Sequence, residues 1–119
     1  MQHKINNTLF GQYIKEYYNG EILEADYGFA IYYIKDNACM IDDLYIIPEK
    51  RRSKYAYDLV RSIETMAKEC RCNYLEAEAF TDSSGFEYSV TNMAHYGFVK
   101  VTEDLERGCE LWRKQLEYL

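Results

Sequence analysis

The single proline of this 119-residue chain, Pro48, lies between a strand-like run and a basic segment. Proline has no N–H to donate to a sheet ladder, so the β-branched and aromatic run before it must end there. Four cations follow within residues 50–54, and an apolar stripe with helical spacing then extends over residues 56–70. This succession predicts a helix packed on a sheet, with the basic loop at their junction.

Periodicity elsewhere predicts further elements of both kinds. The turn dipeptide Asp36-Asn37 joins two extended runs in a β-hairpin. Ser84-x-x-Glu87 has the form of a capping box, and Gly97 is a helix stop. The predicted helices cover about 8–18, 56–70 and 84–95, and the predicted strands cover 27–34, 39–47, 74–80, 98–101 and 109–114. The order α-β-β-α-β-α-β-β indicates an α/β (α+β) fold with one mostly antiparallel sheet flanked by helices.

The length and the lack of linkers predict one domain over residues 1–119. The longest apolar run has six residues, whereas a spanning helix needs about 20. The first seven residues lack the features of a secretory signal. We therefore expect a cytoplasmic protein without a membrane partner.

The formal charge of -6 disfavours a nucleic-acid partner, which would require a basic face. Four cysteines are present, but the spacing of Cys70 and Cys72 is too short for a zinc knuckle and no histidine lies near them. We therefore expect no metal site, and we expect the thiols to be reduced and buried.

Charge is unevenly distributed along the chain. Residues 48–54 carry Lys50, Arg51, Arg52, Lys54 and one glutamate, a net charge of +3 in an otherwise acidic chain. Cations are unfavourable at a helix N-terminus because of the helix dipole. One explanation is that an anion binds among these cations and the free N–H groups of the helix. The other is that the loop is solvated and salt screens the repulsion between its charges. The charge pattern alone does not distinguish the two explanations.

Residues 41–60 resemble the GNAT superfamily of acetyl-coenzyme A dependent N-acetyltransferases, whose pyrophosphate loop reads Arg or Gln, two residues, Gly, one residue, Gly or Ala. Arg51 matches the first position and Ala56 the last. Lys54 occupies the position of the middle glycine, although lysine neither favours positive φ nor permits close approach of the backbone to phosphate.

The resemblance extends over about residues 24–114. Gly97-Phe98 matches the family's Gly-Phe at the end of its last helix, but Met93 stands where that helix usually carries a tyrosine. Residues 109–114 are similar to the family's final strand.

The resemblance implies acetyl-CoA as co-substrate. The backbone of Ile46 and Ile47 would bind its acetyl and pantetheine part, and backbone N–H groups from Arg52 to Ala56 would bind its pyrophosphate. The implied cofactor-binding residues are Ile46, Ile47, Arg51, Arg52, Ser53, Lys54, Tyr55 and Ala56.

The amine that attacks the thioester must first lose a proton, because its pKa in solution is near 10. Strand parity places Asp42 on the face of Leu44 and Ile46 and turns Asp43 the other way, so Asp42 is the first candidate base. The other candidates are Glu76 and Glu78 as reserve bases, and Tyr88 and Tyr96 as substitutes for the missing tyrosine donor.

These observations predict an N-acetyltransferase acting on an amine of a small molecule or of a protein. The alternative is a catalytically inactive GNAT-fold module, favoured by Lys54 and Met93, which would bind a partner or assemble into a larger particle. A third interpretation is a small sheet-and-helix domain outside the family that binds a phosphorylated ligand or no ligand. A homodimer is left open, and the short, linker-free chain would suit a viral or mobile-element protein.

Overall fold

The computed structural model of the protein describes residues 4–5 and 8–118. Of the first seven residues, from which the lack of a secretory signal was inferred, only 4 and 5 lie within this part. Its helices are α1 (Leu9–Tyr18), α2 (Tyr55–Glu69) and α3 (Phe86–Tyr96), with a 3-10 turn at Pro48–Lys50. Its strands are β1 (Lys4–Ile5), β2 (Glu21–Ala25), β3 (Gly28–Lys35), β4 (Ala38–Ile46), β5 (Tyr74–Phe80), β6 (Val99–Asp104) and β7 (Cys109–Gln115).

The strands form one sheet in the order β1-β2-β3-β4-β5-β7-β6. All neighbouring strands run antiparallel except β4 and β5, which run parallel because α2 connects them as a crossover. The predicted fold class, a mostly antiparallel sheet flanked by helices, is confirmed.

Helix α2 covers one face of the sheet and forms the main core. Leu59, Ile63 and Ala67 recur at the spacing of one helix face and are fully buried. They belong to the same buried cluster as Tyr32 of β3 and Leu75 of β5. Among residues 4–5 and 8–118, no helix combines the length and the apolar composition required to cross a bilayer.

Strand β2 is missing from the sequence prediction because both of its faces are covered. Ile22 and Leu23 are consecutive residues, so they point to opposite faces, and both are buried. Leu23 packs in the α2 core, whereas Ile22 lies on the face that α1 covers with Ile14. A strand buried on both faces shows no alternation of apolar and polar residues.

Strand β1 is also missing from the prediction, and β6 extends beyond its predicted end at residue 101 to Asp104. The other elements agree with the prediction, apart from one helix start. The hairpin, α2, β5 and the final strand pair occur where expected, and Gly97 ends α3 with a left-handed φ of 112°. The capping-box prediction is wrong: α3 begins at Phe86, Gly85 is the N-cap residue with a φ of 85°, and no side chain caps the helix.

Strand β4 contains a bulge that changes the direction of its side chains. Tyr32 pairs with Ile41 and Ile31 pairs with Asp43, so Asp42 is an extra residue without a partner in β3. Beyond the bulge the pairing continues to Gly28 and Ile46. The bulge therefore lies four residues before the end of β4, where the strand leads into the basic loop.

Gly28 allows β3 to approach the end of β4. A Cβ atom at this position would lie 2.0 Å from the Tyr45 carbonyl oxygen, which is backbone and cannot rotate away. Gly28→Ala should therefore lower the free energy of unfolding by about 2 kcal/mol or more in a denaturant titration. Gly20→Ala is the matched control, because its Cβ would meet the Ile31 Cγ2 atom at 3.3 Å and that side chain can adjust. Equal losses in the two variants would contradict this reading.

Candidate active site

A cleft opens where β4 and β5 separate. The parallel pairing runs from Ala38 and Tyr74 to Ile41 and Ala77 and then stops, although both strands continue. The cleft between the diverging ends has a volume of about 680 Å³. It is lined by residues 41–46 of β4, by 50–53, 56, 57 and 60 of the loop and α2, by 77–80 of β5, and by 83, 84, 86, 88, 89, 92, 93, 96 and 98.

Backbone groups of β4 line one wall of this cleft. Because peptide groups alternate along an antiparallel strand, and the Ile47 N–H donates to Tyr27 O at 2.9 Å, the groups of Leu44 and Ile46 point away from β3. Side chains cap two of them: Asp43 Oδ1 accepts from the Leu44 N–H at 2.9 Å, and Arg51 Nε donates to Ile46 O at 2.8 Å. The backbone of Ile46, which the resemblance implied as a binding group for the co-substrate, therefore lies in the cleft wall.

The prediction for Ile47 is corrected by the structure. Its N–H is bonded to Tyr27 O, and its carbonyl accepts from the Lys50 N–H at 2.9 Å. Both backbone groups of Ile47 thus hold the end of β4 to its neighbours and are turned away from the cleft wall.

The start of α2 presents a row of free backbone donors. The first helical bond is donated by the Asp58 N–H to Lys54 O at 3.0 Å. Within the described residues, the amide N–H groups of 52–57 have no hydrogen-bond acceptor. These donors and the positive end of the helix dipole lie at the end of the cleft, an arrangement that favours an anion.

The structure corrects the argument about glycine in this loop. Lys54 has φ -74° and ψ -9°, an ordinary helical conformation that any residue adopts. The left-handed residue is Arg52, with a φ of 58°. Lys54 therefore causes no backbone strain, and the strained position lies two residues earlier.

Three of the four loop cations lie over aromatic rings, each in different surroundings. Lys50 lies 5.5 Å from the ring centre of Tyr55, and the Arg52 guanidinium lies 5.1 Å from that of Tyr88 on α3. Arg51 is turned back onto β4, where it caps Ile46 and lies 5.4 Å from the Tyr45 ring. Arg51 thus fastens the loop to the strand, whereas Arg52 reaches across the cleft.

The bulge also changes the parity assumed for the candidate base. Leu44 and Ile46 share the α2 face with Ile41, because the extra residue Asp42 reverses the alternation. Asp43 pairs with Ile31, on the face away from α2. The prediction that Asp42 shares a face with Leu44 and Ile46 is therefore wrong, whereas Asp43 does point away from that face, as predicted. Both carboxylates are exposed, and both line the cleft.

The two reserve carboxylates on β5 are held by arginines. Glu76 is mostly buried and accepts from Arg113 Nε at 2.7 Å, and it does not line the cleft. Glu78 lines the cleft and accepts from Arg107 Nη2 at 2.9 Å. The Arg107 guanidinium holds the pKa of the Glu78 carboxyl below its ordinary value. Neither group is a free base in this arrangement.

Helix α3 forms the opposite wall. Met93 lines the cleft at the position implied by the resemblance. Tyr96 also lines it, but its hydroxyl donates to Glu64 Oε1 on α2 at 3.1 Å. Burial and the Glu64 carboxylate raise the pKa of Tyr96 well above its usual range, so this phenol is a poor proton donor here.

Sequence reasoning missed two polar side chains on the same helix. Ser89 and Asn92 lie three residues apart on α3 and line the cleft together with Met93 and Tyr96. The spacing 89, 92, 93, 96 is that of one helix face. That periodicity was the available signal, but it does not tell a cleft face from a core face.

The cysteines are structural in character. Cys39, Cys72 and Cys109 are buried as expected, whereas the prediction fails for Cys70, which is exposed. Burial raises the pKa of the Cys39 thiol to about 12. In the part of the chain that the structure describes, no group of three or more metal-binding side chains occurs.

Comparison with known proteins identifies the class. A family model described as the acetyltransferase (GNAT) family matches residues 8–86, more than half of the chain. The chain therefore belongs to the GNAT acetyltransferase family, and the resemblance inferred from its loop and its last helix is confirmed. Comparison with curated protein sequences gives no match.

Solved structures share the fold at low sequence identity. An acetyltransferase from Bacillus subtilis in complex with CoA has 15% identity and a TM-score of 0.73, over 89% of this chain and 84% of that one. PaiA N-acetyltransferase from Thermoplasma acidophilum in complex with coenzyme A has 21% identity and a TM-score of 0.66, over 90% and 69%. Ard1 from Thermoplasma volcanium has 13% identity and a TM-score of 0.71, over 92% and 79%.

The conformation of Lys54 leads to a prediction about stability. Lys54→Gly should lower the free energy of unfolding by about 0.5–1 kcal/mol, because glycine adds entropy to the unfolded chain and relieves no strain at a φ of -74°. Lys54→Ala removes the same charge without that entropy and is the control. Denaturant titration of both variants gives the difference in their free energies of unfolding. A Lys54→Gly variant more stable than Lys54→Ala would contradict the helical conformation assigned to residue 54.

Proposed function

We propose that this protein transfers an acetyl group from acetyl-CoA to the nitrogen of an amine. The observation that carries the proposal is the cleft between β4 and β5, which begins where their pairing stops after Ile41 and Ala77 and ends at the free amides of α2. It joins a wall of peptide groups that no neighbouring strand pairs to a row of free amides and cations, which fits a ligand made of an amide-containing chain and a diphosphate. The GNAT family assignment agrees with this use of the cleft.

The chain's own groups suit the parts of such a co-substrate. Amides 52–57 and the Arg52 guanidinium would hold the diphosphate by charge-assisted hydrogen bonds. The Ile46 N–H and the Leu44 carbonyl would pair with the amides of the pantetheine chain, as a further strand would. Of the residues named from the sequence, Ile46 and the Arg52–Ala56 segment keep their proposed binding roles, Arg51 becomes a positioning residue, and Ile47 is withdrawn. The thioester supplies an electrophilic carbonyl carbon and a thiol leaving group.

Asp42 is the group that we propose as the general base. An ammonium with a pKa near 10 must lose a proton before its nitrogen forms a bond to the carbonyl carbon and the carbon–sulfur bond breaks. Asp42 lies at the bulge next to the point where the strands separate, and its exposed carboxylate has access to water. It would accept the proton through such a water. Asp43 is bonded to the Leu44 N–H, and Glu78 is bonded to Arg107.

We extend the proposal to the wider properties of the chain. We propose one domain over residues 1–119, which the single sheet and its core support. We further propose that it acts in the cytoplasm on an amine-bearing small molecule or protein, without nucleic acid or membrane as partner. A homodimer stays a prediction. The proposed acceptors share a nucleophilic nitrogen, which is what the chemistry requires.

Binding and turnover can be tested separately. Acetyl-CoA at about 100 times its Kd should stabilise the protein by about 2.7 kcal/mol, which raises the Tm by several degrees. The double variant Arg52→Glu, Lys54→Glu should lose this shift because it reverses the charge at the anion site. The control variant is Lys35→Glu, which should keep the shift because Lys35 lies at the end of β3, outside the cleft. Release of the CoA thiol in the presence of polyamines or lysine-bearing peptides then measures turnover.

The outcomes separate the two candidate functions. A thermal shift without thiol release would favour the inactive binding module, which Met93 at the place of the family tyrosine supports. The absence of any shift in the wild type would contradict the proposal altogether.

Asp42→Asn should slow thiol release at least about a hundredfold at neutral pH, because an amide cannot accept the proton. Its affinity for acetyl-CoA should not change, since Asp42 is not part of the anion site. Asp43→Asn is the matched control and should have the smaller effect, because that carboxylate caps the Leu44 N–H. Steady-state kinetics and calorimetry of both variants decide the matter, and an equal rate for Asp42→Asn and the wild type would remove Asp42 from this role.

A further inference from the structure

Tyr88 differs from Tyr45, Tyr57 and Phe80, which also line the cleft. The Phe80 ring faces Arg107, whose guanidinium is already bonded to Glu78. Tyr57 packs on Tyr96, with ring centres 5.2 Å apart, and Tyr45 stacks on Phe29 at 5.5 Å. The Tyr88 ring is 45% exposed, and within residues 4–5 and 8–118 it packs on no other aromatic ring. The Arg52 guanidinium lies over this ring, 5.1 Å from its centre. A flat apolar face at the cleft is therefore covered by this cation.

The position of that cation relates Tyr88 to the anion site. Arg52 is the first residue of the amide row 52–57, and its side chain reaches Tyr88 on α3. The Tyr88 ring and the place proposed for the diphosphate are thus separated by no more than the length of one arginine side chain. In coenzyme A the diphosphate is bonded directly to an adenosine. A base attached there lies near the first turns of α3.

A bound diphosphate changes the balance of this contact. The charge-assisted hydrogen bonds between a guanidinium and phosphate oxygens are stronger than the attraction between a guanidinium and an exposed aromatic ring. Arg52 would then turn to the phosphate and leave the Tyr88 face uncovered. A planar base of about the same size covers such a face well, because stacking buries apolar area on both rings.

We propose that Tyr88 is the stacking platform for the adenine base of the co-substrate, uncovered when Arg52 pairs with the diphosphate. This inference rests on the proposed function, because it deepens the use of the same cleft. It assigns the phosphate-pairing role to Arg52 and the base-stacking role to Tyr88, on opposite walls of the cleft.

The test compares two ligands that differ in the nucleotide part. Coenzyme A carries the adenosine, whereas 4′-phosphopantetheine ends at a single phosphate. By calorimetry, Tyr88→Ala should weaken coenzyme A binding about tenfold and leave the Kd for 4′-phosphopantetheine unchanged, because only the former presents a base. Tyr88→Phe keeps the ring and should stay within about twofold of the wild type for both ligands.

Controls separate stacking from a change in fold or charge. Tyr17→Ala removes an exposed tyrosine of α1 outside the cleft and should change neither Kd. Arg52→Ala should weaken both ligands, because both carry a phosphate. The Tm of each variant without ligand checks that it is folded.

Two results would overturn the inference while leaving the proposed function intact: an equal loss for both ligands in Tyr88→Ala, or no loss for either, in a protein that binds coenzyme A. A wild type that binds neither ligand would overturn the proposed function, and this inference with it.

Discussion

The separation of β4 from β5 after Ile41 and Ala77 is the feature on which the rest of the site depends. Two parallel strands that stayed paired to their ends would satisfy every peptide group between them and leave no cleft. The bulge at Asp42 accompanies the separation, since an extra residue bends a strand and increases its local twist. Gly28 keeps β3 in close contact with the far end of β4, so the strand stays bonded on one side while it is open on the other.

The chain covers much of this open edge with its own side chains. Arg51 caps the Ile46 carbonyl, Asp43 caps the Leu44 N–H, and Arg52 lies on Tyr88. These contacts are made by exposed or partly exposed side chains, each of which adds little stability in water. A ligand that offers better partners can therefore displace them at small cost. The amides at the start of α2, in contrast, have no such cover.

The fold was largely accessible from the sequence because its main elements bury one face. Alternation over residues 74–80 and the helical stripe of α2 are direct consequences of that burial. Strand β2 was not accessible, because Ile22 and Leu23 are buried on opposite faces and the pattern disappears. The start of α3 was misplaced, because a Ser-x-x-Glu pattern does not reveal that Gly85 takes the left-handed N-cap position.

The sequence predicted where the candidate site lies, but it predicted the roles of the individual side chains less well. The basic loop predicted an anion site, and its place in the structure is the row of amides 52–57 that have no acceptor among the described residues. The face assigned to Asp42 was wrong, because the bulge leaves no mark in the residue pattern. Ion pairs that join β5 to β7 and its preceding turn, such as those of Glu76 and Glu78, depend on tertiary contacts and could not be read from spacing.

The left-handed conformation of Arg52 bears on how such loops are recognised in other chains. The backbone conformation at position 54 does not require glycine, because it lies in a region open to every amino acid. A search template that insists on glycine there discards sequences whose loop can still close around an anion. Templates weighted toward the residue two places earlier, where asparagine or glycine would fit with least strain, would retrieve divergent members that the usual signature overlooks.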